Sequence, residues 1–240
     1  HPPAVLIPYL QPHHPFPPVS TARQDMGGLL AIGADLSVPR ILDAYRQGIF
    51  PWGTYDEQPL WYCPDPRMVL FPDEIRITRS LLKTLRRGAY EIRLDSDFAG
   101  VIRRCSATPR PGQDGTWITP DMEAAYLRLH ELGWAHSVET WMDGELLGGL
   151  YGLAIGGMFY GESMFAHRTD ASKIAFAHLA RYLVQEGFGM IDCQMHTDHL
   201  ASLGAREIPV GEFLTRLQAL TALPHTAGHW PRDAAHFDWS

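Results

Sequence analysis

The stretch HSVETWMDGELLGGLYGLAIGGMFYGESMF, residues 136–165, constrains the fold more than any other part of the chain. It is rich in aromatic and aliphatic residues that favour strands. It also contains two pairs typical of tight hairpin turns, Asp143-Gly144 and Gly156-Gly157. The stretch therefore predicts two or three antiparallel strands that follow one another directly along the chain.

Helices and further strands are predicted on both sides of these hairpins. TDASKIAFAHLARYLVQEG is apolar on most faces, which indicates a central buried helix, and the short strand GMIDCQ follows it. Upstream, the strands MVLF and EIRL alternate with the helices TRSLLKTLRRG, DSDFAGVIRRCS, capped by Asp95 or Ser96, and TPDMEAAYLRLHELG, capped by Thr119. This order predicts an α+β fold and resembles that of GNAT-type acyltransferases.

The first 66 residues are expected to form a small N-terminal domain, and residues 67–240 a larger one. The proline-rich opening to about Ser20 predicts an extended chain without regular structure. A helix capped by Ser37 follows and ends at Gly48, with Ile41, Leu42 and Tyr45 facing inward. The turn-rich GTYDEQPLWYCPDPR, residues 53–67, is expected to be the crossing between the domains.

Composition narrows the class of protein. A chain of 240 residues with 45% apolar residues buries a sizeable core, and no apolar run reaches the roughly 18 residues that a membrane helix requires. Three widely spaced cysteines without a C-x-x-C pair do not form a disulfide framework. We therefore expect a cytoplasmic protein without a membrane anchor.

Polar residues within predicted strands mark a candidate site. Asp192 and Gln194 lie two positions apart in GMIDCQ, so an ideal strand points both to one side, and Tyr160 and Glu162 share a face in GMFYGESMF by the same rule. Buried carboxylates need partners or a shifted pKa, and they cluster in functional clefts. Structural hydrogen-bond networks bury carboxylates too, so the spacing alone leaves both interpretations open.

No metal or cofactor is predicted. Asp192, Cys193, His196, Asp198 and His199 lie close together, but no second cluster completes a known ligand spacing, and Cys193 is interpreted as a small core residue. GGLLAIGADLS is glycine-rich before a helix, yet it lacks the spacing of a nucleotide-binding loop.

A basic stretch is a candidate surface for a phosphate backbone, although the net charge of the chain is −7. No acidic residue interrupts it, and on a helix most of its members form one stripe; a solvated helix face is the alternative. Its members are Arg76, Arg79, Lys83, Arg86 and Arg87. Trp52, Trp61 and Trp117 offer flat surfaces for a base or serve as core residues.

Several stretches together resemble the leucyl/phenylalanyl-tRNA–protein transferase family. They run in family order from Gly28 to about Leu217: GLLAIGADLS, AYRQGIFPW, CPDPR, GTWIT, GGLYG, GESMF, ASK and IDCQ with HLASLGA. The resemblance implies a small N-terminal domain packed on a GNAT-like catalytic domain. It implies a bacterial enzyme that moves Leu or Phe, less often Met, from aminoacyl-tRNA to the N-terminal Arg or Lys of a protein, which marks that protein for N-end rule degradation.

The resemblance also implies roles for individual residues. Asp192 and Gln194 match the catalytic pair, and Glu162 matches an acidic residue near the reacting amine. The substrate-binding residues that it implies are Trp52, Trp117, Leu150, Phe159 and Ile191, and the basic stretch matches a tRNA-binding patch. It implies a monomer that needs no cofactor, because an aminoacyl ester is already activated.

Two other functions are weighed against this one. An acetyl-coenzyme A N-acetyltransferase would need an R/Q-x-x-G-x-G/A pyrophosphate loop, which the sequence lacks. A non-catalytic tRNA-binding module would use the basic stretch alone. The residues after Leu220, TALPHTAGHWPRDAAHFDWS, match nothing in the family pattern.

Overall fold

The computed structural model describes residues 6–108 and 118–240. Within them the chain forms two β-sheets, each with its own helices. The first sheet has the order β1-β2-β4-β3. Its strands are β1 (Tyr9–Leu10), β2 (Leu29–Gly33), β3 (Phe50–Tyr55) and β4 (Gln58–Tyr62). Helix α1 (Val38–Arg46) lies between β2 and β3 in the chain.

The predicted start of α1 is confirmed, since the Ser37 side chain accepts a hydrogen bond from the Arg40 N–H. Two expectations for this part are wrong. The opening stretch contains β1, which pairs in parallel with β2. Most of residues 53–67 forms the β3–β4 hairpin, because Asp56 and Glu57 adopt positive φ and make one tight turn; only residues 63–66 connect the two sheets.

The second sheet has seven strands in the order β11-β5-β10-β9-β8-β7-β6. Strands β9 and β10 are parallel and all other neighbours are antiparallel. The predicted hairpins are confirmed: Asp143 and Gly144 turn β7 into β8, and Gly156 and Gly157 turn β8 into β9. The strands are β5 (Arg67–Leu70), β6 (Glu91–Leu94), β7 (Ala135–Met142), β8 (Glu145–Ile155), β9 (Met158–Ala166), β10 (Met190–Gln194) and β11 (Arg206–Ile208).

Helices cover both faces of this sheet, so the α+β class is confirmed. α2 and α5 pack on the face that carries Leu150, Phe159 and Ile191, and α3 and α4 pack on the opposite face. α5 is buried along most of its length, as predicted. The helices are α2 (Arg79–Arg87), α3 (Phe98–Ala107), α4 (Pro120–Glu131), α5 (Ala171–Gln185), α6 (Asp198–Ser202) and α7 (Val210–Thr221).

The cap predicted for α3 is wrong. Asp97, not Asp95 or Ser96, accepts the hydrogen bond from the Gly100 N–H. Asp95 turns inward instead, where its carboxylate accepts hydrogen bonds from His136 and from the Ser137 N–H. A buried tertiary partner therefore decides which of three neighbouring polar residues caps the helix.

The segment after α7, residues 222–240, crosses the α5 face and is called the C-terminal segment below. The Leu94 N–H donates to Arg232 O, and His178 of α5 donates to Ala235 O. Trp239 is buried against α5. Across the residues described, no helix is both long and apolar enough to cross a bilayer.

Candidate active site

A cavity of about 520 Å³ opens between α5 and the central strands β8, β9 and β10. Phe50 and Trp52 of β3 form part of its wall, so the first sheet contributes to it. The cavity brings together four of the predicted substrate-binding residues, Trp52, Leu150, Phe159 and Ile191. Trp117, the fifth, lies outside the described residues. The other apolar side chains of the wall, which the sequence did not predict, include Met164, Phe176, Leu179 and Leu200.

Glu162 is the carboxylate of the cavity wall, and it is 9% exposed. It occupies a bulge, because Gly161 and Ser163 pair with neighbouring residues of β8 and leave Glu162 unpaired between them. Tyr45 of α1 donates a hydrogen bond to Glu162 Oε1, and Gln194 Nε2 lies 3.5 Å from Oε2. Burial raises the pKa of Glu162 to about 8, although these hydrogen bonds act in the opposite direction. The carboxyl group is therefore largely neutral at pH 7.

Two tyrosines that the sequence did not predict complete this network. Tyr45 and Tyr126 share a hydrogen bond of 2.6 Å between their hydroxyl groups, and both approach Glu162. Burial raises the pKa of both phenols well above the usual value, so they remain hydrogen-bond donors. The sequence contained one indication of this network. Tyr45 lies on the inward stripe of α1, and a buried tyrosine hydroxyl needs a hydrogen-bond partner.

Asp192 is fully buried and forms a bidentate ion pair with Arg67, at 2.8 and 3.0 Å. The guanidinium also donates to Gly48 O and lies against the rings of Phe50 and Phe213. Arg67 was another residue that the sequence did not predict. The sequence did indicate a buried ion pair here, because Arg67 directly precedes an apolar strand and a buried guanidinium requires an anion.

Gln194 does not share a face with Asp192, and the expectation from ideal strand alternation is wrong. The pairing with β5 shifts between the two residues, and Gln194 has a φ of 68°. Its side chain consequently lines the cavity, whereas Asp192 does not. The two remain connected, because Asp192 Oδ1 accepts the Gln194 backbone N–H at 2.9 Å. The carboxylate thus stabilises the positive-φ conformation that turns Gln194 towards the cavity.

Three further residues of the cluster that was considered for a metal lie around the same cavity. Cys193, His196 and His199 all line it. Burial raises the pKa of the Cys193 thiol, so it lacks the low pKa of a reactive cysteine. Among the residues described, no three His, Cys, Asp or Glu side chains are arranged to hold a metal ion.

The predicted basic stretch lies on and before α2, where Arg76, Arg79, Lys83 and Arg87 are exposed. Within the described part of the chain, none of these four forms an ion pair with an acid. Arg86 differs, because its guanidinium donates to Trp239 O at 2.8 Å. α2 packs against α5, whose other residues line the cavity, so the basic surface and the cavity lie on one side of the sheet.

Of the tryptophans considered for base stacking, only Trp52 is seen to face the cavity among the residues described. Trp61 is fully buried, and its indole N–H donates to Gly33 O, so it is a core residue of the first sheet. Trp52 is partly exposed and contacts Tyr62 edge to face. Its indole is therefore available to a flat ligand at the cavity wall.

The chain is similar to proteins that are already known. Two family models match the chain: leucyl/phenylalanyl-tRNA protein transferase over residues 69–218, and the N-terminal domain of that protein over residues 34–65. The chain is 68% identical to a leucyl/phenylalanyl-tRNA–protein transferase of Dechloromonas aromatica, across 95% of this chain and 97% of that one. A relative of the same description in Chromobacterium violaceum is 58% identical, across 96% and 99%. Among solved structures, a GCN5-related N-acetyltransferase from Kribbella flavida is similar with a TM-score of 0.37 and 10% identity, covering 69% of this chain and 59% of that one.

Proposed function

The chain belongs to the leucyl/phenylalanyl-tRNA protein transferase family, and from this membership we propose how its cavity and basic helix carry out the transfer. It is an aminoacyltransferase that takes an aminoacyl-tRNA and a protein acceptor, and not an N-acetyltransferase or a non-catalytic RNA-binding module. We propose Leu and Phe, and less often Met, as the transferred residues. We propose an N-terminal Arg or Lys as the acceptor, and a cytoplasmic monomer as the enzyme, since charged tRNA is made in the cytoplasm.

The observation that carries the proposal is an apolar cavity with Glu162 and Gln194 in its wall. The aminoacyl side chain enters the apolar part, against Leu150, Phe159 and Ile191. Shape and apolar contact distinguish similar side chains by only about 1–3 kcal/mol, so the cavity accepts more than one large apolar residue. Trp52 lies at the wall where the adenosine end of the tRNA would stack, and Trp117 is proposed for the same end.

Glu162 is proposed to receive the acceptor amine. An α-amine has a pKa of about 8, close to that of Glu162, so a proton passes between the two groups at little cost. The amine nitrogen then forms a bond to the ester carbonyl carbon. The bond between that carbon and the ribose oxygen breaks, and the ribose oxygen leaves with a proton. The ester supplies the driving force, so the residues need only position and deprotonate the amine.

Asp192 is proposed as a positioning residue and Gln194 as the group that contacts the reactants. Asp192 is enclosed by Arg67 and lines no part of the cavity, but it accepts the Gln194 N–H. The amide of Gln194 lies beside Glu162, where it donates to the carbonyl or carboxylate oxygens that gain charge during transfer.

The exposed basic residues of α2 are proposed to bind the tRNA acceptor stem. Arg79, Lys83 and Arg87 have no acidic partner within the described part of the chain, so their charges are available to phosphates. Arg76 extends the same surface, and Arg86 is proposed to join it beside its contact with Trp239. We also propose that residues 1–66 and 67–240 are the two domains, joined at Arg67.

The test is a transfer assay with labelled Leu on tRNA, a peptide that begins with Arg, and neither ATP nor coenzyme A. Labelled peptide is expected from the native chain, and none from the same peptide with an acetylated N-terminus. Gln194→Ala should slow transfer about 10²-fold or more while the protein stays folded. Absence of transfer from both Leu- and Phe-tRNA would refute the proposed function, and full activity of Gln194→Ala would refute the role of that residue.

A further inference from the structure

We propose that Trp230, in the C-terminal segment, is a positioning residue that sets the depth of the amino-acid cavity through Phe159. This inference rests on the function proposed above and assigns a role to a segment outside the residues matched by the family models. Trp230 does not line the cavity itself. It lies behind a residue that does.

The position of Trp230 is defined by contacts on several sides. Its ring stacks on His136 with centroids 4.0 Å apart and planes within 1° of parallel, and it also packs against Tyr182 of α5. Its backbone N–H donates to Asp95 Oδ2 at 2.7 Å, the same oxygen that accepts from His136 at 2.7 Å. The Asp95 side chain is only 1% exposed. One buried carboxylate therefore holds both the backbone of Trp230 and the ring beneath it.

Phe159 lies between Trp230 and the cavity. The two ring centroids are 5.8 Å apart, and Phe159 is fully buried. On another side the Phe159 ring packs against Gly152, where an added Cβ would lie 2.7 Å from the ring. The Phe159 ring therefore has no room to move towards Gly152, and the Trp230 ring prevents it from moving away from the cavity.

The depth of the cavity follows from this arrangement. With Trp230 in place, the Phe159 ring stays forward and forms the wall against which an aminoacyl side chain packs. Without the indole, the ring has space to retreat and the cavity becomes deeper. A deeper cavity suits the larger phenylalanine side chain and contacts leucine poorly. The hydrogen-bond partners of Glu162 and Gln194 do not include Trp230 or the rings it packs on, so the chemical step is not directly affected.

The experiment compares Leu-tRNA with Phe-tRNA as donors for the native chain and for Trp230→Ala. The ratio of kcat/KM for Phe over Leu is expected to rise about tenfold, mainly through a higher KM for Leu-tRNA with kcat nearly unchanged. Trp230→Phe keeps a ring against Phe159 and should stay within about twofold of the native ratio. Trp230→Leu provides an intermediate variant if Trp230→Ala does not fold.

A matched control comes from the same segment. Trp239 is buried and packs on His178 and under Arg181, away from the cavity wall. Trp239→Ala should lower the melting temperature without changing the Phe-to-Leu ratio. A second check uses Phe159→Leu, in which adding Trp230→Ala should no longer change the ratio.

The outcomes separate the two proposals. If the native chain transfers neither amino acid, the proposed function is wrong and the role of Trp230 falls with it. If the native chain is active and folded Trp230→Ala keeps the native ratio, the role of Trp230 alone is wrong. A fall in kcat of equal size for both donors would also overturn it, because that result indicates a general loss of structure.

Discussion

Arg67 and Asp192 form an ion pair in which each side chain is only 1% exposed. This burial determines how the effects of substitutions at either residue should be interpreted. Removing one member leaves the other as a buried, unpaired charge, which costs about 3–5 kcal/mol. Loss of activity in an Asp192 variant therefore has two sources, the changed position of Gln194 and the lower stability of the whole protein.

Asp192→Ala is accordingly expected to lower the free energy of unfolding by about 3–5 kcal/mol, measured by urea denaturation, and to reduce transfer strongly. Gln194→Ala is expected to reduce transfer while it changes the free energy of unfolding by less than about 1 kcal/mol, because Gln194 is partly exposed. Asp73→Ala, at an exposed position, is the control. Equal stability losses for the Asp192 and Gln194 variants would contradict this distinction.

Glu162 gives a prediction for pH dependence. Its pKa of about 8 means that the carboxylate forms mainly above pH 8, whereas the acceptor is an ammonium ion mainly below about pH 8. Productive encounter of these two forms predicts a bell-shaped profile of kcat/KM for the acceptor, with its maximum near pH 8. Initial rates, corrected for spontaneous ester hydrolysis, measure it.

Glu162→Gln removes the carboxylate, so transfer should be about 10²-fold slower and should depend only on the free amine. The profile of this variant is expected to rise and then level off above about pH 8, without the descending limb. A bell-shaped profile that persists in Glu162→Gln would show that another group is responsible.

At the scale of elements, local signals predicted most of the architecture. Thr119 as a cap, the Asp143-Gly144 turn and the apolar α5 are encoded in a few adjacent residues, so the sequence alone identified them. The predictions that were wrong concern residues whose position is set by tertiary contacts. Asp95 accepts a hydrogen bond from the buried His136 instead of capping the helix. Gln194 follows a register shift in the strand pairing, which no local sequence pattern predicts, and so does not point to the same side as Asp192.

The same reasoning applies to the site. Glu162, Gln194 and four apolar or aromatic residues of the cavity wall were predicted by motif. The other apolar side chains of the wall, and the partners that hold Glu162 and Asp192, were not. Arg67 is separated from Asp192 by 125 positions and Tyr45 from Glu162 by 117, so no sequence spacing relates them. The bulge at Glu162 is likewise visible only from the pairing of β8 with β9.

Helix α2 gives a prediction about tRNA affinity. Replacing Arg79, Lys83 and Arg87 together by Ala should raise the KM for charged tRNA and leave kcat at saturating tRNA nearly unchanged. The slope of log affinity against log salt should fall by about 0.7–0.9 for each phosphate that the variant no longer neutralises. The control replaces Arg103, Arg128 and Arg216, which lie on other helices and pair with acids. An equal effect of both triple variants would exclude a specific role for α2.

At the scale of the whole molecule, the C-terminal segment depends on a histidine that is neutral in the folded state. Burial lowers the pKa of His178 to about 4, and its ring donates to Ala235 O while it accepts from the Trp239 indole. Protonation is favoured in the unfolded chain from about pH 6.5 downward, so the stability from this group is complete above about pH 6.5 and is lost as the pH falls towards 4.

The free energy of unfolding is thus expected to fall by up to about 3 kcal/mol between about pH 6.5 and 4, from chemical denaturation at a series of pH values. His178→Gln should flatten the curve in this interval. His167→Asn, at an exposed position, should leave the shape of the curve unchanged. A native curve that is already flat across this interval would contradict the assignment.

The hydrogen bond from Arg67 to Gly48 O has an evolutionary consequence. A single guanidinium is shared between a backbone carbonyl of the first 66 residues and a carboxylate of the larger sheet that is 125 positions away in the chain. Neither the first 66 residues nor the rest of the chain is therefore easily exchanged for the equivalent part of a distant relative. A chimera of distant relatives should fold productively only when the loop around Gly48 and the strand that holds Asp192 are inherited from the same parent.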